Sequence, residues 1–183
     1  MFGWIILGVC VLLALWAVTI FNRLVKNRNL VLEGWSGIDV QLKRRYDLIP
    51  NLVATVKGYA KHEEGVLSKV VELRNSAGKA QTAAEKAPIE NMLTQTLRQL
   101  FALAEAYPDL KANQNFLDLQ GQMSGIEEQI QFARRYYNGA ARDMNILVQS
   151  FPSNMIARSL GFKKAEYFEI ELVTEREAPK VEF

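Results

Sequence analysis

From residue 2 to residue 21 the chain reads FGWIILGVCVLLALWAVTIF, 20 residues without a charge. At about 1.5 Å of rise per residue, a helix of that length crosses the hydrocarbon of a bilayer. Trp4 and Trp16 stand toward its ends, where membrane interfaces collect aromatic side chains, although Trp16 is a little deep for that belt. A cleaved signal peptide is the rival reading. The run lacks a basic segment before it, is long, and is followed by no small-x-small cleavage site. A lipoprotein site at Cys10 is disfavoured by the bulky Val9 ahead of it. Residues 1–22 are therefore expected to form an uncleaved transmembrane anchor.

Beyond the anchor, apolar residues recur at alternating steps of three and four. Trp35, Ile38, Leu42, Tyr46, Ile49, Leu52, Val56 and Tyr59 form one stripe, which resumes after Glu63 with Val66, Val70 and Leu73. That period is helical and marks one buried face. Pro50 lies inside the stripe and predicts a kink or local break over residues 46–50. RNSAGKAQTAAEKAP marks a loop near residues 75–88. A second helix is expected from about Pro88, with Ile89, Leu93, Leu97, Leu100 and Leu103 or Ala104 on its apolar face, ending at AYPDL.

The third stripe is the most regular: Phe116, Leu119, Met123, Ile126, Ile130, Ala133, Tyr137, Ala140, Met144 and Leu147. Such spacing suits a bundle or coiled-coil seam. Gly121, Gly125 and Gly139 each lower helix propensity by about 1 kcal/mol relative to Ala, and two of them are candidates for close helix approach. FPSN at 151–154 should stop this helix, with Ser153 or Asn154 capping a short one that ends before Gly161. EYFEIELV alternates like an extended end, and TEREAPKVEF reads as a disordered tail. The expected fold is all-α: one N-terminal transmembrane helix, then an antiparallel bundle of three long helices and one short one. The bundle is assigned to residues 23–171 and a flexible C-terminal tail to residues 172–183.

Charge adds a direction. The net charge of +2 is too small to argue for nucleic acid. Residues 23–62, however, carry eight Lys or Arg against three Asp or Glu. Arg23, Lys26 and Arg28 follow the anchor at once, which by the positive-inside rule places the body in the cytoplasm and Met1 outside.

Catalytic and metal chemistry find little to use. There is one Cys and one His in the chain. His62 sits among charged neighbours in YAKHEEG and reads as a solvated surface residue. No nucleophile elbow, zinc-protease helix, CxxC pair or phosphate loop occurs. Glu63–Glu64 and Glu127–Glu128 are sequence neighbours, which on a helix point about 100° apart and make no acid/base dyad. We expect no enzyme activity, no cofactor, no metal, no small-molecule substrate and no nucleic acid.

One stretch stands out, DVQLKRRYDLIPNLV at 39–53. Lys43 would lie roughly 30 Å beyond the bilayer on a continuous helix, several screening lengths away, so Arg23, Lys26 and Arg28 are better placed for headgroups. Asp39–Lys43 and Arg44–Asp47 have the spacing of local helix pairs. Leu42, Ile49, Leu52 and Val56 should face the bundle, with Lys43 and Arg44 solvated. Arg45 borders the apolar seam beside Tyr46, and ARRYYN at 133–138 offers a polar counterpart in Arg134 and Asn138. Asp39, Arg45, Tyr46, Asn51, Arg134 and Asn138 are the candidates for a polar layer between helices or a surface for a partner.

WSGIDVQLKRRYDLIPNLVATVKGYAKHE at 35–63, ARRYYNGAARDMN at 133–145, FPSNMIA at 151–157, GF at 161–162 and YFE at 167–169 together resemble the LemA family of bacterial membrane proteins. The resemblance runs from the anchor to about residue 171. It implies one N-terminal transmembrane helix and a helical bundle, and it brings no enzymatic activity or cofactor with it. Related proteins in magnetosome-forming bacteria are associated with organelle assembly, and some members with envelope homeostasis. The expected role is a membrane-anchored scaffold or adaptor that binds other proteins or itself; the alternative is a lipid-binding or envelope-shaping protein.

Overall fold

The computed structural model describes residues 1–60 and 63–169, so His62 and the expected tail lie outside the described residues. Six helices form among them: α1 (Phe2–Tyr59), α2 (Glu64–Lys79), α3 (Ala83–Ala104), α4 (Pro108–Lys111), α5 (Gln114–Gln149) and α6 (Ser153–Ser159). The fold is all-helical; residues 162–169 run without regular structure, so the described part of EYFEIELV forms no strand. The chain divides into two compact units, Met1–Asp39 with Phe132–Tyr167, and Val40–Gln131 with Phe168–Phe183.

The second unit is a four-helix bundle. Ile49, Leu52 and Val56 of α1 pack with Leu67, Val70 and Leu73 of α2, Leu93, Leu97 and Leu100 of α3, and Phe116 and Met123 of α5. At one end Asn113 Nδ2 donates to the Tyr59 hydroxyl at 2.9 Å, and the Tyr107 hydroxyl donates to Glu63 at 3.3 Å. At the other, Arg45 meets both Glu90 and Glu127. These pairings run α1 alongside α3 and opposite to α5, an up-down-up-down order that short connections favour.

Pro50 does not break α1, which continues through it to Tyr59. A proline supplies no N–H to the carbonyl four residues back, and here that carbonyl belongs to Tyr46. Arg74 of α2 replaces the missing donor: its Nε donates to Tyr46 O at 2.8 Å. α1 ends instead at Tyr59 and α2 begins at Glu64, and Gly58 and Gly65 weaken the helix near these two ends. The first stripe is thus two helices, α1 and α2.

The start of α3 also differs from expectation. It begins at Ala83, not near Pro88, because Thr82 and Glu85 form a capping box. Glu85 N donates to Thr82 Oγ1 at 3.2 Å, and Thr82 N donates to Glu85 Oε2 at 3.4 Å. The pair satisfies two of the amide groups a helix start leaves open. The first turns bury Ala83, Lys86 and Ala87, too little apolar surface for a stripe to register.

In the other unit, α1 lies antiparallel to α5, with Trp35 and Tyr137 rings 5.8 Å apart and Leu24 packed with Met144. The helices approach closely at Gly34, where an added Cβ would stand 3.0 Å from Tyr137 Cα; Gly121, Gly125 and Gly139 have open space around them. The close approach belongs to a glycine of α1, not to those of α5. After α5, the Phe151–Pro152 peptide is cis.

Ser153 does not cap α6. Its hydroxyl donates back to Leu147 O at 2.7 Å, or to Ser150 O at 2.9 Å, serving carbonyls at the end of α5. Gly161 ends α6 as its spacing predicts, at φ +71°. Phe162 N donates to Ala157 O at 2.9 Å and Gly161 N to Arg158 O at 3.3 Å, the paired bonds of a Schellman ending. The chain then returns along α5. Asn145 Nδ2 donates to Ala165 O at 2.9 Å while Ala165 N donates to Asn145 Oδ1 at 2.8 Å, and the Tyr137 hydroxyl donates to Glu166 O at 2.7 Å. Burial, then the neighbouring Glu166 charge, raises the Tyr137 pKa above its ordinary value.

Arg74→Ala should lower unfolding free energy by about 1–2 kcal/mol, the cost of an unpaired carbonyl. In a Pro50→Ala background, where the restored backbone N–H can itself donate to Tyr46 O, the loss should be smaller. Urea titration of the four chains checks this; strictly additive effects would contradict the account.

Candidate functional site

The four-helix unit holds a charge in its interior. Arg45 is 1% exposed, and Glu90 is as well covered. Leu42 and Ile49, one turn to either side of Arg45 on α1, are fully buried. The arginine thus occupies a core position, as its place in the stripe between those two residues implies. Lys43 and Arg44 are exposed, and Arg44 Nη1 donates to Gln41 Oε1 at 3.1 Å.

Five side chains from three helices compose the cluster. Arg45 Nη2 forms an ion pair with Glu90 Oε2 of α3. Arg45 Nη1 lies 2.5 Å from Glu127 Oε1 of α5 and 2.9 Å from Thr94 Oγ1. The Tyr46 hydroxyl donates to Glu90 Oε1. Thr94 Oγ1 reaches Glu127 Oε2 at 3.4 Å. Moving a guanidinium out of water costs several kcal/mol, which only well-placed carboxylates offset. Two carboxylates face one guanidinium here, and one of them reaches solvent. The Glu127 side chain keeps 25% of its surface in solvent, whereas that of Glu90 keeps 2%.

Of the residues expected to form a polar layer, the structure brings together Arg45 and Tyr46. Arg134 and Asn138 belong, together with Asp39, to the unit containing Phe132–Tyr167. Asp39 is exposed and Arg134 and Asn138 are half-buried, and each of the three is engaged by neighbours. Asn51 is exposed; its carbonyl accepts from Thr55 Oγ1 at 2.9 Å, and it lines a groove with Asn115, Asp118 and Gln122.

Glu90, Thr94 and Glu127 escaped the sequence reading, although a signal was present. Glu90 precedes Leu93 by three and Leu97 by seven, so it shares their face. Glu127 sits four after Met123 and three before Ile130, in the same relation to its own stripe. An acidic residue in a core register needs a cation, and Arg45 is a basic residue in a core register. Reading Ile89 as the start of the α3 seam hid this; Ile89 is only partly buried.

The arrangement can fix which helices meet and in what register. The Arg45 guanidinium contacts Glu90, Glu127 and Thr94. Among the described residues, no three His, Cys, Asp or Glu side chains converge as metal ligands would.

The fold and the cluster define a class: an all-helical protein whose N-terminal helix opens with a run long and apolar enough to cross a membrane, and whose bundle closes on a buried arginine–carboxylate cluster. The LemA family model matches residues 34–183, and the chain belongs to that family. It is similar to Magnetosome protein MamQ 2 of Paramagnetospirillum magneticum, at 26% identity over 163 residues, covering 73% of this chain and 59% of the relative. Protein LemA of Metamycoplasma hominis is 26% identical over 150 residues, covering 81% of this chain and 68% of that protein. MamQ of Magnetospirillum gryphiswaldense is 22% identical over 162 residues, with coverage of 73% and 58%. The chain thus spans less than two thirds of the length of the MamQ relatives.

Arg45→Ala should lower unfolding free energy by about 3–5 kcal/mol, since it leaves the buried Glu90 carboxylate without its cation. Arg44→Ala, one residue away and solvated, should change it by about 0.5 kcal/mol or less. Urea denaturation of the full chain in detergent, followed by circular dichroism, separates the two; equal effects would remove the cluster from the account.

Proposed function

We propose that this protein is a membrane-anchored helical scaffold or adaptor, acting through contacts with other proteins or with itself and not through catalysis. The observation that carries the reading is the character of α1. It is one helix from Phe2 to Tyr59, and its long apolar run is almost entirely uncovered. A core helix of a water-soluble protein would be covered by its neighbours; this one is bare. Its polar hydroxyl at Thr19 is satisfied internally, donating to Leu15 O at 2.9 Å, as a lipid environment requires. Arg23, Lys26 and Arg28 then favour a body on the cytoplasmic face of a bacterial inner membrane.

The binding role is supported by what the side chains are used for. The buried charges serve helix pairing, and the exposed faces carry Arg44 on α1 and Arg135 on α5, the latter 4.6 Å above the Phe132 ring. Relatives named as magnetosome proteins fit a part in an assembly. A lipid-binding or envelope-shaping role is the second reading, favoured by the basic residues that follow the apolar run.

Photocross-linking in intact cells tests the proposal, with a photoreactive amino acid replacing Arg44 in one chain and Arg135 in another. Protein adducts at either position are expected. Adducts with other proteins would make it an adaptor, and adducts with itself alone a homo-oligomeric element. Lipid adducts without any protein adduct at both positions would contradict it.

A further inference from the structure

α6 is amphipathic in an unusual sense. Its small residues Ser153 and Ala157 are buried and Ile156 packs beside them, while Phe151, Met155 and Leu160 are left exposed. Phe151 is 79% exposed, Met155 65% and Leu160 54%. Phe151 lies in the turn just before α6 and Met155 in its first turn, both open to the outside. Water is a poor surrounding for such a face.

Tyr137 of α5 lies beside Gly34 of α1, and Met144 packs with Leu24 and Ile20. Following the antiparallel pair onward, α5 ends level with Ile20 and Phe21, where the apolar run also ends. α6 is seated there: Ala157 packs in the cluster with Ile20 and Leu24, and the Phe162 ring is 6.2 Å from that of Phe21. The turn bearing Phe151 therefore stands at the height where α1 passes from lipid to water. Exposed Arg23, Lys26, Arg158, Lys163 and Lys164 occupy the same region, and the Arg28 guanidinium lies 5.6 Å above the Phe162 ring.

We propose that α6 is a second membrane contact, a short interfacial helix that sinks Phe151 and Met155 into the headgroup–acyl boundary of the bilayer that α1 spans. Arg158, Lys163 and Lys164 meet the phosphates of anionic lipids beside it. The inference rests on the anchor reading of α1. It adds that the end of α5 is tethered to the surface, so α1 is held at a fixed depth by a contact distant in sequence. Lipid is favoured over a protein occupant because the exposed apolar side chains stand where the bare apolar run of α1 ends, and Arg23, Lys26, Arg158, Lys163 and Lys164 make the exposed charges around them mostly basic.

Nitroxide labels on single cysteines test this in the full chain, reconstituted into vesicles of three parts phosphatidylcholine to one part phosphatidylglycerol. The native Cys10 is exposed and reports on the anchor. In a Cys10→Ser background, Phe151→Cys and Met155→Cys report on α6, and Arg142→Cys, exposed on α5, reports on water. Collision rates with oxygen, which concentrates in lipid, and with a water-soluble nickel chelate give a ratio for each site. The ratio at 151 and 155 should shift from the value at 142 toward the value at Cys10. It should shift less in vesicles lacking phosphatidylglycerol; an unchanged ratio there would overturn the headgroup contact. A lipid value at Cys10 with a water value at 155 would overturn the α6 inference and leave the anchor standing. A label at 155 shielded from both reagents would assign the face to a protein and overturn it equally. A water value at Cys10 would end the anchor reading and the inference together.

Discussion

A guanidinium held inside a helical bundle must be met by carboxylates, and in this chain that demand falls on Arg45. The residue sits in the apolar stripe of α1 between Leu42 and Ile49, so α1 cannot bury that face until something answers the charge. Glu90 answers from α3 and Glu127 from α5. Apolar stripes are permissive about partner and register, because one leucine packs on another with little preference. A charge in a core position is not permissive, since a shift of one turn would leave both it and its partners unpaired. The cluster thus turns a generic set of amphipathic helices into one arrangement.

Other polar side chains resolve local conflicts in the same way. Arg74 supplies the donor that Pro50 withholds from Tyr46 O, which lets α1 run on past a proline. Asn145 uses both ends of its amide to hold the backbone of Ala165 against α5. Ser153 closes the end of α5 instead of starting α6. In each case the apolar pattern brings segments near one another and a single polar group decides how they meet.

That division explains how much the sequence disclosed. The buried faces were legible: Leu42, Ile49, Leu52, Val56, Leu93, Leu97, Met123 and Met144 are all covered, because three-four spacing directly reports burial. Gly161 was legible because a left-handed helix ending favours glycine. Boundaries were not. The α1–α2 break leaves the stripe's phase intact, and the first turns of α3 bury mostly alanine, so periodicity is blind to both. Pro50 misled because the compensating Arg74 is 24 positions away in the sequence. The candidate site was half legible for a similar reason. Arg45 announces itself by its place in an apolar stripe, whereas Glu90 and Glu127 are recognised only when each stripe is read for the charges it contains as well as its leucines.

The account's central claim is that the Arg45 cluster couples helices, which is distinct from saying that it stabilises the fold. A double-mutant cycle measures that coupling directly. Arg45→Ala, Glu90→Ala and the double variant would be compared with the unaltered chain by urea denaturation. Lys69 and Glu72, an exposed pair 3.0 Å apart on one turn of α2, serve as the reference cycle. The account predicts a coupling of about 2 kcal/mol or more for the buried pair, against about 0.5 kcal/mol or less for the exposed one. Equal couplings in the two cycles would contradict it.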